Sequence, residues 1–464
     1  MYIPVLSSVW PANTPGEHKA SGYAYVRAPA LERYTAPKPT LKVDGSRVLE
    51  LKESAFSVFY PSEVGGGPIG VPWVVDPVGG VLAGYEKFMS AGGGGGPAAW
   101  LFGALRFVAG RFKMAVERNA PLVKSDKPLP IVLFSHGMVG TRTTYSQYCT
   151  ALASEGYIVL SVEHRDHSGP CVIFPADEEH PEPRQVLFTK FAECDFDPSL
   201  EDPEMLDLRY LQLEFRVREL YEAYGTFKRL VAGDAGVIVE KLAEEKRAAF
   251  VSSFANRVNW NDVRVAGHSF GGGTAMHLLQ TPPPGSYAPL NVTYCVALDP
   301  WTEPYGQMQK RTGFQIPDKK YPPTLSINSD EFTNKEPMFS LLVDSSKRMG
   351  GALVSMVGVG HQGYSDFPIV SSMPSTAAAN YKTMHDLTIA LFEDKLNESP
   401  LMAGKPDGGV LTGYPGGKAG GKYGEVLVHL RLGESLTPTA NGKVVTPPEA
   451  VTTTTTVAGV KVSA

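Results

Sequence analysis

From residue 129 onward, short unbroken apolar runs alternate with amphipathic stretches. LPIVLFSHG (129–137) is apolar until it ends in small and polar residues. TTYSQYCTALASEG (143–156) has a helical distribution and closes on Gly156. YIVLSVEHRD (157–166) is a second unbroken run. RVAGHSFGGGTAMHLLQ (264–280) reads as strand, tight turn and helix. TYCVALDPW (293–301), PPTLSINSDEF (322–332) and ALVSMVGVGH (352–361) add three strands. Strands that do not alternate are buried on both faces, and strand–helix–strand with short links is a βαβ unit. The pattern predicts an α/β protein with a mostly parallel, doubly wound sheet.

The rest of the chain is less regular. About a hundred residues separate the strand at 157–162 from the one at 264–266. They hold a long periodic helix, PEMLDLRYLQLEFRVRELYEAYGTFKRLV (203–231), so 165–262 reads as a helical insertion over one end of the sheet, before the strand that carries the turn. AFSVFYPS (55–62) reads as a strand ending at a Pro turn. AAWLFGALRFVAGRFKM (98–114) has Trp100, Leu101, Leu105 and Val108 at helical steps. Residues 1–49 show no clear period and read as irregular. Residues 399–464 are rich in Gly, Pro and Thr and read as a largely disordered tail. The catalytic-size domain is then 50–398, and no internal repeat is visible.

Composition adds exclusions. Of 464 residues, 43% are apolar and 20% charged, enough for a sizeable core. The net charge of −5 gives no basic excess for a nucleic-acid partner. Four cysteines without a CxxC pair make neither a disulfide scaffold nor that class of zinc site. The N-terminus lacks a basic region and carries Pro4 in its short apolar run, so no signal peptide is read there. No apolar run reaches the ~18 residues of a spanning helix. The expected location is the cytoplasm, with no metal and no cofactor; the oligomeric state is not fixed by these features.

The chemistry concentrates at Gly267-His268-Ser269-Phe270-Gly271, a G-x-S-x-G motif between an apolar strand and a helix. Such a turn needs small residues two positions either side of the serine, and it lifts the hydroxyl clear of the sheet. A hydroxyl needs a neighbouring base. Of the four histidines after Ser269, His277 lies two turns into the next helix, His385 in a helical stretch and His429 in the tail. His361 follows the last strand directly, where a catalytic histidine must arrive. For the acid, Asp299 and Asp330 both end strands at the same edge, and the residues alone leave them near even. The oxyanion donors expected are the backbone N–H groups of Phe270, after the serine, and Met138, in the HGMVG loop. EHRDHSG (163–169) matches no metal-ligand spacing and reads as a structural or pocket-lining loop.

The blocks LFSHGMVGTRTTYSQYCTALASEGYIVLSVEHRD, AGHSFGGGT, VALDPW, PPTLSINSDEF and GHQGYSDFP resemble the platelet-activating factor acetylhydrolases of the plasma and intracellular type, over about residues 50–390. The resemblance implies an α/β-hydrolase fold and a Ca²⁺-independent esterase that removes short or oxidised sn-2 acyl chains from phospholipids. It also implies Ser269 as nucleophile, Asp299 as acid and His361 as base, with Met138 and Phe270 as the hole. A phospholipid partner raises a further reading of 98–114. Trp100, Leu101, Phe102 and Leu105 would dock peripherally on a membrane or lipid aggregate, the alternative being a helix packed as a pocket wall.

Overall fold

The computed structural model describes residues 9–10, 14–65, 69–91, 112–176, 178, 180–370, 374–403 and 424–433. The strands that matter for the site are β1 (Ser21–Thr35), β2 (Glu50–Pro61), β3 (Lys113–Arg118), β4 (Leu129–Ser135), β5 (Ile158–Val162), β6 (Val258–His268), β7 (Val292–Leu298), β8 (Thr324–Ser329), β9 (Ala352–Met356) and β10 (Val426–Leu430). They lie in one sheet in the order β3-β1-β2-β5-β4-β6-β7-β8-β9-β10. From β5 to β9 every neighbour is parallel. β2 runs antiparallel to both β1 and β5, and β10 runs antiparallel to β9.

The parallel centre is buried on both faces, as its unbroken apolar runs require. Val132 and Phe134 of β4 enter a cluster that includes Tyr148 and Leu152 of helix α1 (Ser146–Ser154). Their neighbours Ile131 and Leu133 enter the opposite cluster. That cluster is covered by Leu213, Val217 and Leu220 of α2 (Met205–Val231) and by Ala275, Met276 and Leu279 of α3 (Phe270–Gln280). A fourth covering helix, α4 (Pro374–Phe392), adds Tyr381, Met384 and Leu387 to the first cluster. Each fully buried aliphatic or aromatic side chain contributes roughly 1.5–3 kcal/mol. An apolar stripe on α2 is thus satisfied only against the sheet, and this fixes the faces of the fold, which is that of an α/β-hydrolase.

Four expectations change. Residues 1–49 are not irregular throughout: β1 spans Ser21–Thr35 and pairs along β2. Its charged residues conceal the pattern, because Arg27 is matched by Glu53 and Glu240 rather than by solvent. Within 165–262, α2 lies on a face of the sheet rather than over its end, since its apolar stripe needs that surface. Lys113 and Met114 open β3 instead of closing a helix, while 98–111, with Trp100, Leu101, Phe102 and Leu105, lie outside the described residues. In the tail, β10 adds an edge strand, and 404–423 and 434–464 lie outside the described residues.

Candidate active site

β6 ends at His268 and α3 begins at Phe270, so Ser269 turns the chain alone. Its backbone sits at φ 55°, ψ −120°. A non-glycine residue in such a region costs on the order of 1–3 kcal/mol and persists only where its surroundings over-determine it. They do here. Ser269 N–H donates to the Leu298 carbonyl at 2.8 Å, and its own carbonyl accepts from Trp301 N–H at 2.9 Å. A Cβ on Gly267 would overlap the carbonyl of Gly271, and one on Gly271 would overlap the carbonyl of Ser135. Only glycine lets these three backbones close around the serine.

The Ser269 hydroxyl lies 2.9 Å from His361 Nε2, and His361 Nδ1 lies 2.7 Å from Asp299 Oδ2. With Nδ1–H donating to the carboxylate, Nε2 is the nitrogen that accepts the hydroxyl proton. His361 starts a 3-10 turn (His361–Tyr364) beyond β9, and Asp299 follows β7. Asp299 is fully buried and is held by Ser329, whose N–H and O–H each donate at 2.6 Å. The His361 side chain keeps 17% exposure, while Asp299 beside it has none. Phe332 lies flat on the imidazole, centroids 3.9 Å apart and planes within 5°. His361 N–H donates to Glu331 at 3.0 Å. Burial pushes the Glu331 carboxyl up, but the bonds from Lys335 and from His361 N–H outweigh it and hold it below the usual range.

Asp330, the other acid left open by the sequence, does something else. Its Oδ2 accepts from Gly358 N–H at 3.0 Å, and its own N–H donates to the Val359 carbonyl at 3.0 Å. It thereby shapes the loop that leads to His361 and does not touch the imidazole.

Met138 follows Gly137 on the loop after β4, and Phe270 opens α3. Neither backbone N–H is hydrogen-bonded among the described residues. A Cβ on Gly137 would come 3.1 Å from Ser269 Cβ, which places the Gly137-Met138 loop directly against the serine. An ion or developing anion near Ser269 would also sit at the N-terminus of α3, where the helix dipole favours negative charge.

Sequence reasoning missed the polar layer behind this loop. His268 contacts both Tyr145 and the His361 carbonyl. Burial, and next the proximity of His361, hold its imidazole well below the usual range. The EHRDHSG loop folds inward. His164 bridges Ser135 and Glu219 at 2.7 and 2.6 Å, and Asp166 pairs with Arg216 at 2.8 Å, both fully buried. Burial works to raise Asp166, and the Arg216 charge together with the hydrogen bonds from Ser168 and Arg216 outweighs it and holds the carboxyl below its usual range. Five ionisable side chains in seven residues were the available signal. The partners of His164 and Asp166 lie on α2, some fifty residues later, where buried and solvated charges look alike.

His268, Asp299 and His361 offer ligand atoms within 4.8 Å of one another. Each is committed otherwise: His361 Nδ1 and His268 Nε2 carry the hydrogens they donate, and Asp299 is filled by His361 and Ser329. The donor set fits a proton path, not a cation. The remaining candidate histidines are structural. His277 is buried against Tyr305, His385 bonds Glu155, and His429 bonds Ser355.

Comparisons with known proteins bear on the family and the fold. The model of the family described as platelet-activating factor acetylhydrolase, isoform II, matches residues 57–391. A platelet-activating factor acetylhydrolase of Gallus gallus is 27% identical over 274 residues, 57% of this chain and 59% of that protein. One of Cavia porcellus is 25% identical over 66% of this chain and 63% of its own length. A putative phospholipase A2 of Schizosaccharomyces pombe is 34% identical over 158 residues, 32% of this chain and 34% of that one. The chain therefore spans less than two thirds of the length of the curated relatives it matches. A ferulic acid esterase from Streptomyces cinnamoneus shares the fold, with TM-score 0.51 and 17% identity, covering 88% of this chain and 95% of that one.

Proposed function

Because the chain belongs to the platelet-activating factor acetylhydrolase, isoform II, family, we propose that it is a Ca²⁺-independent serine esterase that hydrolyses the short or oxidised sn-2 acyl ester of phospholipids such as platelet-activating factor. The observation that carries this reading is the run Ser269–His361–Asp299, with bonds of 2.9 and 2.7 Å.

His361 Nε2 takes the Ser269 proton as Oγ bonds to the ester carbonyl carbon. The carbonyl electron pair moves to oxygen, and the N–H groups of Met138 and Phe270 receive that charge. When the pair returns, the sn-2 carbon–oxygen bond breaks, and the lysophospholipid alkoxide takes the proton from His361. Water then gives a proton to His361 and attacks the acyl-enzyme. The acyl–Oγ bond breaks, Ser269 recovers its hydrogen from His361, and the carboxylic acid leaves and gives its proton to solvent. Asp299, buried and saturated with donors, holds the imidazole in the tautomer this sequence needs.

The working location is the cytoplasm, supported by four buried free cysteines. No described helix is long and apolar enough to cross a membrane. Contact with lipid is proposed through Trp100, Leu101, Phe102 and Leu105. The triple variant W100S/L101S/L105S should lose vesicle binding and keep hydrolysis of a soluble ester; unchanged vesicle binding rejects the docking.

The reading is tested by kcat/KM on phosphatidylcholines with sn-2 chains from acetyl to palmitoyl, in EDTA, beside p-nitrophenyl butyrate. Preference for the short and oxidised chains supports it. Preference for the soluble ester over every phospholipid makes the chain a general carboxylesterase. No turnover of any ester makes it a binding protein on a hydrolase fold.

A further inference from the structure

We infer that Arg216, on α2 and outside the triad, is the positioning residue of the oxyanion hole. The inference rests on the esterase reading and adds to it a dependence of the rate on a side chain that never meets the substrate.

The Arg216 guanidinium has no solvent exposure. Its five N–H donors are fixed in a planar fork, so each bond they make orients the next. Nη1 donates to the His136 carbonyl at 2.6 Å, two residues before Met138. Nε donates to Asp166 at 2.8 Å, and Nη2 to Ser168 Oγ at 2.6 Å. Ser168 closes the loop from the other side, because its carbonyl accepts the Val139 N–H at 2.9 Å. Met138 is thus bracketed. The carbonyl two residues before it and the amide just after it are tied to one guanidinium-centred cluster.

The bracket matters because the backbone there is strained. Val139 sits at φ 49°, a left-handed conformation that a β-branched residue rarely adopts. Without the Ser168 and His136 ties the loop would relax and turn the Met138 N–H elsewhere. The same guanidinium lies over the ring of Phe270, 4.5 Å from its centroid. Phe270 supplies the other expected donor. A single side chain therefore sets both N–H groups relative to each other, from the helix that crosses between β5 and β6. A merely structural ion pair would need only the Asp166 contact.

The test compares wild type, Arg216→Lys and Ser168→Ala. Active sites are titrated with a fluorophosphonate, and kcat, KM and the affinity of a trifluoromethyl-ketone ester analogue are measured per titrated site. Lysine keeps the charge beside Asp166 but lacks the fork. Removing one oxyanion donor outright costs about 10²–10³ in kcat. Mis-aiming both should cost roughly 10–100-fold in Arg216→Lys, with KM within about threefold and the ketone weakened in step with kcat. Ser168→Ala, which spares the ion pair, should lose several-fold in the same pattern, and it decides the matter if Arg216→Lys does not fold. Unchanged kcat per titrated site in the variants that fold, with only lower thermal stability, overturns the inference while leaving the esterase reading intact. A wild type that neither hydrolyses esters nor labels overturns both.

Discussion

His268 donates its Nε2–H to the backbone carbonyl of His361 across 3.0 Å. The direction follows from the carbonyl, which only accepts. The neutral ring then has Nδ1 as acceptor, and the Tyr145 hydroxyl, whose oxygen accepts the Gly137 N–H at 3.1 Å, donates to it at 2.7 Å. Nδ1 is therefore the bare nitrogen. The path joins the loop before Met138 to the backbone of His361, and it works only while His268 is neutral. Tyr145→Phe leaves a buried N–H and a buried ring nitrogen unpaired. Such losses cost about 1–3 kcal/mol, so kcat should fall by roughly tenfold or more with little change in KM. A wild-type kcat in this variant would mean the path is idle.

Asp299 and Asp330 are separated by function. Asp299→Asn should lower kcat by up to ~10⁴-fold, because an amide at the acid position favours the wrong imidazole tautomer. Asp330→Asn, whose side chain meets the Gly358 N–H and not the imidazole, should stay within a few-fold of wild type. Side-by-side kcat values check the ranking, and the reverse order would move the acid to β8.

Gly271 should tolerate nothing larger. Its Cβ would overlap backbone, which cannot rotate away, so Gly271→Ala should fail to fold or lose nearly all turnover. Gly306 is the control, since a Cβ there meets only Leu341 Cδ1 at 3.5 Å, an ordinary contact. Gly306→Ala, in the helix Glu303–Thr312, should fold and gain up to ~1 kcal/mol from the stiffer unfolded chain. Chemical denaturation and activity of the two variants give the comparison.

Acid should unfold this protein early. Burial alone pushes His277 and His429 down to about 4, and burial is the largest cause for His136, at about 3, and His167, at about 4. Each is thus depressed below its unfolded value. The unfolded chain binds more protons below pH ~6.5, and the stability present above that pH is lost as the pH falls toward about 4. Each such histidine removes about 1.4 kcal/mol per pH unit across the window. Glu219 and Asp366, raised by burial, oppose the trend but are outnumbered. Urea midpoints at pH 7.5, 6 and 5 should decline steeply. A flat series would mean these histidines are already charged in the folded state.

The parts legible in the sequence were those where one residue type is dictated locally. The turn at Ser269 demands glycines at 267 and 271, and the unbroken runs from 129 to 361 announce strands covered on both sides. His361 was found by its place after a strand. The acid could not be, because Asp299 and Asp330 stand at equivalent strand ends and differ only in what Ser329 and Gly358 bring to them. β1 escaped notice because its charges are answered by Glu53 and Glu240, far off in the chain. Arg216 escaped for the same reason: on a helix wheel it is one more arginine, and only the fold brings Asp166, Ser168 and Phe270 around it.

The central claim is that Ser269, activated by His361, attacks an acyl carbonyl. Peptide mass mapping after fluorophosphonate treatment tests it most directly. The account predicts one adduct, on the peptide that contains Ser269, lost in Ser269→Ala and strongly slowed in His361→Ala. An unlabelled wild type, or an adduct on another serine with turnover surviving Ser269→Ala, would contradict it.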